Sequence, residues 1–268
     1  MTFDKRQERG PFDIIGDVHG CAGELEELLG RLGYGVRWHD GGGTGSGDGR
    51  SVEVAAPAGR RAIFVGDLVD RGPRSADTLR IAMAMVAAGD GFCVPGNHDD
   101  KFRRWLTGNP VKVTHGLATT VAEFENACDS FAGAVEAFLD ALPPYLWLDG
   151  GRLVVAHAGI REAMIGRTSK AIERFCLYGD VTGERDAYGL PVRGDWAADY
   201  RGAALVVYGH TVVEEVRRLN NTICIDTACC FGGKLTALRY PEDELVEVAA
   251  FEKHADLIRP LSPPSSQS

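Results

Sequence analysis

The sequence predicts an α/β fold in a single domain, and three observations carry that expectation. Short apolar runs of strand length alternate with segments of helical periodicity along most of the chain. Several of those runs end in a loop that begins with Gly and carries Asp, Asn or His. No linker or internal repeat divides the 268 residues, a length that one α/β domain can reach.

The elements follow in order. Residues 13–16 form a short apolar strand ending in a loop. Residues 24–32 place Leu25, Leu28, Leu29 and Leu32 at helical spacing. The stretch 40–50 is dominated by glycine. It lacks the Lys-Ser/Thr of a phosphate-binding P-loop and no helix follows, so it reads as a hairpin tip or surface insert. Residues 62–65 make the next apolar run, and a loop and a helix over about 75–88 come after it. Another short run, 92–94, again leads into a loop. Residues 98–142 read as helical, broken at Asn109-Pro110 and closed by Pro143-Pro144. Further strands are expected at 153–156, 205–208, 222–225 and 234–239. The tail 260–268, rich in Pro and Ser, reads as disordered, which leaves 1–259 as the folded domain.

Composition narrows the function classes. With 44% hydrophobic and 25% charged residues, the chain has the make-up of a globular protein with a substantial core. No apolar run has the length of a bilayer span. Residues 1–10 are charged and lack the apolar stretch of a secretory signal. The seven cysteines are scattered, with no CxxC pair, so they are expected as reduced thiols in a cytoplasmic protein. Adjacent Cys229 and Cys230 are read as packing near a strand end. A formal charge of −9 argues against a broad face for duplex nucleic acid. It does not argue against a pocket for one phosphate, because bound metals would supply positive charge there.

Five loops carry the chemistry: Gly16-Asp17-Val18-His19-Gly20, Gly66-Asp67-Leu68-Val69-Asp70-Arg71-Gly72, Gly96-Asn97-His98-Asp99, His157-Ala158-Gly159 and Tyr208-Gly209-His210-Thr211. Each follows an expected strand, and α/β sheets bind ligands at the carboxyl ends of their strands. A mixture of carboxylate and imidazole without thiolate suits catalytic Mn²⁺, Fe, Ni²⁺ or Zn²⁺ rather than a structural zinc. Asp17 and His19 lie two apart on an extended segment and can point to one side. Two ions about 3.5–4 Å apart need a bridging ligand, and a carboxylate just after a strand, such as Asp67, can provide it. Any one loop alone would be an ordinary turn; five of them together are not.

These loops resemble those of the calcineurin-like metallophosphoesterases, in the phosphoprotein phosphatase branch, whose pattern is GDxHG, GDxxDRG, GNHD, a later His-x-Gly and a later Gly-His. Longer stretches (12–20, 64–74, around Val113 to Leu117, 154–160, 177–196 and 223–240) are similar to the central phosphatase module of bacterial polynucleotide kinase-phosphatases. The chain lacks that family's kinase P-loop and adenylyltransferase Lys-x-Asp-Gly, so it reads as a stand-alone relative or an excised module. The resemblance implies a four-layer sandwich of two mixed β-sheets flanked by helices, with 98–144 as a helical insert at the active-site rim.

The resemblance also implies roles. Asp17, His19 and Asp67 would hold one divalent metal; Asp67, Asn97, His157 and His210 would hold a second, with Mn²⁺ the first expectation. His98 at the rim would protonate the leaving oxygen, oriented by Asp70, which would raise its pKa. Arg71 would grip the phosphate, with Asn97 and His98 also facing substrate. Asp226 matches a functional aspartate of the RNA-repair module; the plainer reading is a strand-end cap. Asp99 and Asp100 are read as capping or solvated. The expected substrate is an RNA or nucleotide end, either a phosphate monoester or a 2′,3′-cyclic phosphodiester. A dinucleoside polyphosphate and a phosphoserine or phosphothreonine protein are the alternatives. A separately encoded kinase or ligase would be the partner. A metal-binding scaffold without catalysis would be missing a ligand, the acid or the arginine, and none is missing here.

Overall fold

The computed structural model describes residues 2–39, 50–125 and 127–259. Most of the glycine-rich stretch and the whole 260–268 tail lie outside the described residues. From the N-terminus the elements are β1 (Asp4–Lys5), β2 (Phe12–Ile15), α1 (Ala22–Leu32), β3 (Gly35–His39), β4 (Ser51–Ala55), β5 (Arg61–Phe64), α2 (Ser75–Ala88) and β6 (Gly91–Cys93). Next come α3 (Asn97–Leu106), α4 (Leu117–Phe124), α5 (Asp129–Asp140), β7 (Leu146–Leu148), β8 (Leu153–Val155) and α6 (Lys170–Tyr178). The rest are β9 (Val181–Arg185), β10 (Pro191–Arg193), α7 (Trp196–Asp199), β11 (Leu205–Tyr208), β12 (Arg217–Leu219), β13 (Thr222–Cys224), β14 (Lys234–Tyr240) and β15 (Glu244–Ala249).

Two mixed sheets form the centre. One runs β15-β14-β2-β5-β6, the other β1-β7-β8-β11-β13-β12. Within the first, β2, β5 and β6 are parallel. Within the second, β8, β11 and β13 are parallel. Alternation along each strand separates the faces. Phe12, Ile14 and Ile63 meet Leu146, Leu153, Val155 and Val207 in a core between the sheets. Ile15 and Phe64 turn the other way, onto α1, α2 and the helices of the 97–140 segment. On the far side Val154, Val206 and Tyr208 pack against α6 and α7. The result is helices, sheet, sheet, helices, the four-layer order expected.

Local chemistry explains the elements. In α1 the four leucines are buried; each contributes roughly 1.5–3 kcal/mol by leaving water. The helix stops at Gly33, at φ 94°, where glycine takes a left-handed turn freely. β3 and β4 pair antiparallel from Gly35↔Ala55 to His39↔Ser51; the expected hairpin tip between them lies outside the described residues. The expected 98–142 helical region is three helices, with a non-helical link at 107–116 around Asn109-Pro110. The short strands β1, β7, β9, β10 and β12 have no periodicity of their own and were not expected; each is set by its pairing partner.

Candidate metal centre

The parallel strands of both sheets end at one edge of the sandwich, and the five loops meet there. The five-stranded sheet supplies the loops after β2, β5 and β6. The six-stranded sheet supplies those after β8 and β11, and Asp226 after β13. Asp17, His19, Asp67, Asp70, His98, His157 and Asp226 are all buried, far more than polar residues usually are.

Hydrogen bonds across the two sheets lock the loops together. The Asp67 carboxylate accepts from the His98 N–H at 2.9 Å, and Asp17 accepts from the His210 N–H at 2.9 Å. Two histidines have their tautomers set by backbone carbonyls. His19 Nδ1 donates to Val69 O and His157 Nδ1 donates to Val65 O, both at 3.0 Å. Each Nε2 is therefore left unprotonated, the state a metal needs. Burial agrees, pushing His19 well below the usual imidazole range and His157 down to about 3.

The donor atoms gather around Asp67. Its Oδ2 is 3.5 Å from His19 Nε2 and 3.5 Å from His157 Nε2. His157 Nε2 lies 3.1 Å from Asn97 Oδ1 and 3.1 Å from His210 Nδ1. Two sets, His19-Asp67-His98 and Asp67-His157-His210, each have ligand atoms within 4.8 Å of one another. Asp67 is the shared member, as a bridging carboxylate would be. Asp17 Oδ1 and His210 Nε2 are buried without any hydrogen-bond partner. Crowded acceptors and orphaned buried polar atoms are costly alone and are satisfied by cations. The site's residues thus fit divalent metal ions. Asp17 stands outside both compact sets.

Glycine keeps the loops this close. A Cβ at Gly209 would collide with Asp17 Oδ1, and one at Gly96 with Asp67 Oδ1. His19, Asp67, Asp70, Arg71 and His210 hold positive φ, at 48°, 50°, 76°, 73° and 64°. Backbone strain of this kind is typical of functional sites and is held by the surrounding packing.

His98 differs from expectation in two ways. It was expected at the rim, yet it is buried beside His19, because α3 starts inside the site and its first turn is pinned to Asp67. Its Nδ1 contacts Asp70 Oδ2 at 2.6 Å. Asp70 was expected to raise its pKa, but burial first and then the Arg71 guanidinium hold His98 well below the usual range. Asp70 is itself pushed up to about 6 by burial. Arg71 Nη2 stands 3.0 Å from His98 Nε2, and Nη1 contacts His19 Nε2. Asp226 accepts from the Ala228 N–H at 3.3 Å, so the capping contact is present. Burial pushes it up to about 6, and its charge bears on both Asp17 and Asp67. Asp99 is capping but not solvated: fully buried, it accepts from the Gly96 and Leu68 N–H groups at 2.9 Å each.

Several residues at the site gave no signal in the sequence. Thr120, in α4, donates to Asp70 Oδ1 at 2.8 Å and accepts from the Asp70 N–H at 3.0 Å. The Phe231 ring lies 5.0 Å from the Arg71 guanidinium carbon. Arg193, in β10, exerts its charge on His157 and His210. Its position after Gly-Leu-Pro-Val carries no motif, and only the β9-β10 hairpin brings it in. Cys229 and Cys230 are buried, as read from the sequence. Cys21, Glu24 and Cys229 also gather within 4.8 Å. There Cys21 Sγ donates to the His19 carbonyl at 3.7 Å, and Glu24 accepts from the Phe251 N–H at 2.8 Å.

The family description "Calcineurin-like phosphoesterase" matches residues 10–214. A bis(5′-nucleosyl)-tetraphosphatase, PrpE, of Anoxybacillus flavithermus is 47% identical over 255 residues, covering 93% of this chain and 99% of its own. A solved structure, described only provisionally as a diadenosine tetraphosphatase, overlays with a TM-score of 0.64 at 22% identity, covering 92% of this chain and 97% of its own. A protein serine/threonine phosphatase of Saccharomyces cerevisiae overlays at 0.58 with 14% identity, covering 93% of this chain and 83% of its own. These last two are likenesses of fold. The curated relative bears a tetraphosphatase name, not that of the polynucleotide kinase-phosphatases expected from the longer stretches.

Proposed function

The chain belongs to the calcineurin-like phosphoesterase family and is a hydrolase of phosphate esters, and we propose that its substrate is a dinucleoside polyphosphate. The relative at 47% identity, matched over nearly its whole length, supports this substrate over the RNA end that headed the expectations. The convergence of donors on Asp67 is the observation that carries the chemistry.

Asp17, His19, Asp67, Asn97, His157 and His210 would hold two divalent ions, Mn²⁺ being our first choice. When bound, such ions supply Lewis acidity and an acidified water as nucleophile. The chain's own residues do the rest. Arg71, steadied by the Phe231 ring, offers two N–H groups to phosphate oxygens. Arg193 adds positive charge felt at His157 and His210. His98 donates a proton to the departing oxygen, with Asp70 fixing its ring through Nδ1. Burial is the first cause of the lowered His98 pKa and the Arg71 guanidinium the second; a phosphate dianion seated on Arg71 would offset the second. Substrate binding therefore favours the protonated acid. A phosphoanhydride leaves as a phosphate, which needs that proton less than an alkoxide does. The segment 98–144 would border the substrate and influence its choice.

The test is a side-by-side assay of metal-free protein with Mn²⁺, Ni²⁺ or Mg²⁺ restored. Substrates are diadenosine tetraphosphate, 2′,3′-cyclic AMP, a phosphothreonine peptide and p-nitrophenyl phosphate. The highest metal-dependent kcat/KM is expected on the dinucleotide. A preference for the cyclic nucleotide or the peptide would replace this substrate with that one.

A further inference from the structure

One cluster of metal-ligating atoms shares no residue with the centre around Asp67. Cys21, Glu24 and Cys229 bring two thiols and a carboxylate within 4.8 Å of one another. Their exposures are 1%, 3% and 2%. Two buried cysteines side by side are ordinary packing. A buried glutamate beside them is not, because Glu is almost never fully buried unless it is paired. Glu24 has no ion-pair partner among the described residues, and its one hydrogen bond there comes from the Phe251 N–H. A carboxylate left in the interior without a cation is costly.

The local backbone fixes all three donors. Cys21 is the residue before α1, and Glu24 stands three positions on in its first turn, on the same helix face. A glutamate there ordinarily turns back to the N–H of the capping residue. Here Val18 O already takes the Cys21 N–H at 3.0 Å, and the Glu24 carboxylate stays beside the sulfur atoms. Cys229 opens a short turn, Cys229–Phe231, flanked by Ala228 at φ 66° and Gly232 at φ 91°. His254 and Ala255 pin that turn, donating to Cys230 O at 2.9 and 3.0 Å. Phe251, which holds Glu24, is 61% exposed, so the carboxylate end of the cluster lies just under the surface.

We propose that Cys21, Glu24 and Cys229 form a further metal site, for one thiophilic divalent cation of the zinc class, with water as its fourth ligand. Sulfur donors select soft ions, whereas the oxygen and nitrogen donors around Asp67 accept harder ones. Zinc bonds sulfur at about 2.3 Å and carboxylate oxygen at about 2.0–2.2 Å, so its tetrahedron sets donors about 3.5–4 Å apart. The cluster reaches that spacing by a small contraction. On ligation each thiol gives its proton to solvent and its sulfur bonds the ion, with nothing oxidised or reduced. The ion would join the loop of Asp17 and His19, which ends just before Cys21, to the turn that follows Asp226. This site is independent of which phosphate ester the chain hydrolyses.

The experiment titrates the full chain, loaded with Mn²⁺, with Cd²⁺ and reads the near-ultraviolet absorption of cadmium bound to thiolate. Cadmium that displaces Mn²⁺ around Asp67 meets no sulfur and adds nothing to this band. In wild type the band should saturate at about one ion per chain and fall when Zn²⁺ competes. Cys21→Ser and Cys229→Ser should each weaken cadmium binding about a hundredfold or more, since losing a group that merely supports a ligand costs about 10–100-fold. Glu24→Gln should weaken binding and keep the band, and Cys128→Ser should match wild type. No band, a band unchanged in both Cys21→Ser and Cys229→Ser, or one lost in Cys128→Ser would overturn the site. Should the serine variants fail to fold, cadmium NMR of wild type decides. A resonance of two sulfur ligands upholds the site, and one of nitrogen and oxygen ligands alone removes it.

Discussion

Replacing His98 with alanine separates two demands on one residue, because its backbone N–H holds Asp67 while its ring serves the leaving oxygen. The N–H survives the change, so His98→Ala should keep its metal content by elemental analysis. Activity on an alkyl phosphate should fall about 10²–10⁴-fold, the usual worth of a positioned acid. The loss should be clearly smaller on p-nitrophenyl phosphate and on a dinucleoside polyphosphate, whose leaving groups need the proton less. Equal losses on all three would remove His98 as the acid. The residue was legible because it follows Asn97 in a short motif. Phe231 and Arg193 were not, since an aromatic or an arginine far along the chain looks like any other until the fold brings it to the site.

At the scale of elements, α4 is the clearest case. Its sequence, LATTVAEF, reads as an ordinary helix facing a core. In place, it braces two other elements. Glu123 accepts from the Ser75 and Ala76 N–H groups at 2.8 Å each, capping α2 where its own N-cap residue does not. Thr120 and Ser75 together hold the left-handed Asp70. Thr120→Val keeps the shape of the side chain but removes the hydroxyl from Asp70, at a cost of about 1–3 kcal/mol for the unpaired buried group. The expected outcome is a lower kcat on alkyl phosphates with little change on p-nitrophenyl phosphate. That is a weaker copy of the His98 profile, and Thr120→Ser should rescue it. A uniform loss on both substrates, reversed by neither, would reduce Thr120 to packing.

At the scale of the molecule, the candidate ligands come from both sheets, so bound ions would tie the sandwich together. Saturating Mn²⁺ at about 100 times its dissociation constant should stabilise the fold by roughly 2.7 kcal/mol, a rise of about 5–10 °C in melting temperature for a chain of this size. Chelation should reverse the rise and Asp67→Asn should abolish it; no shift by calorimetry would count against metal binding at this site. A second tie lies at the opposite edge. Asp149, in the turn between β7 and β8, accepts from Arg152 at 2.9 and 3.0 Å and from the Tyr240 hydroxyl of β14 at 2.5 Å. The Arg152 hydrogen bond holds its carboxyl below the usual range. A depressed carboxylate contributes stability above its unfolded pKa, near 3.9, and loses it as pH falls through the folded value. Asp149→Asn suits the positive φ, removes the charge and turns one acceptor oxygen into a donor amide. It should cost about 1–2 kcal/mol at pH 7 and much less at pH 3, as denaturant titrations at the two pH values would report.

The sequence by itself determined the α/β class, the strands that precede the five loops, and the candidate residues Asp17, His19, Asp67, Asn97, His98, His157 and His210. Those features are local: period in hydrophobicity, a glycine at a strand end, a ligand type beside it. Only the tertiary structure decided that His98 is buried and its pKa lowered, that Asp99 ties two loops, and that Thr120, Phe231 and Arg193 stand at the site. Burial, electric field and contact between distant segments depend on which surfaces the two sheets present to each other, and no short window of sequence contains that information.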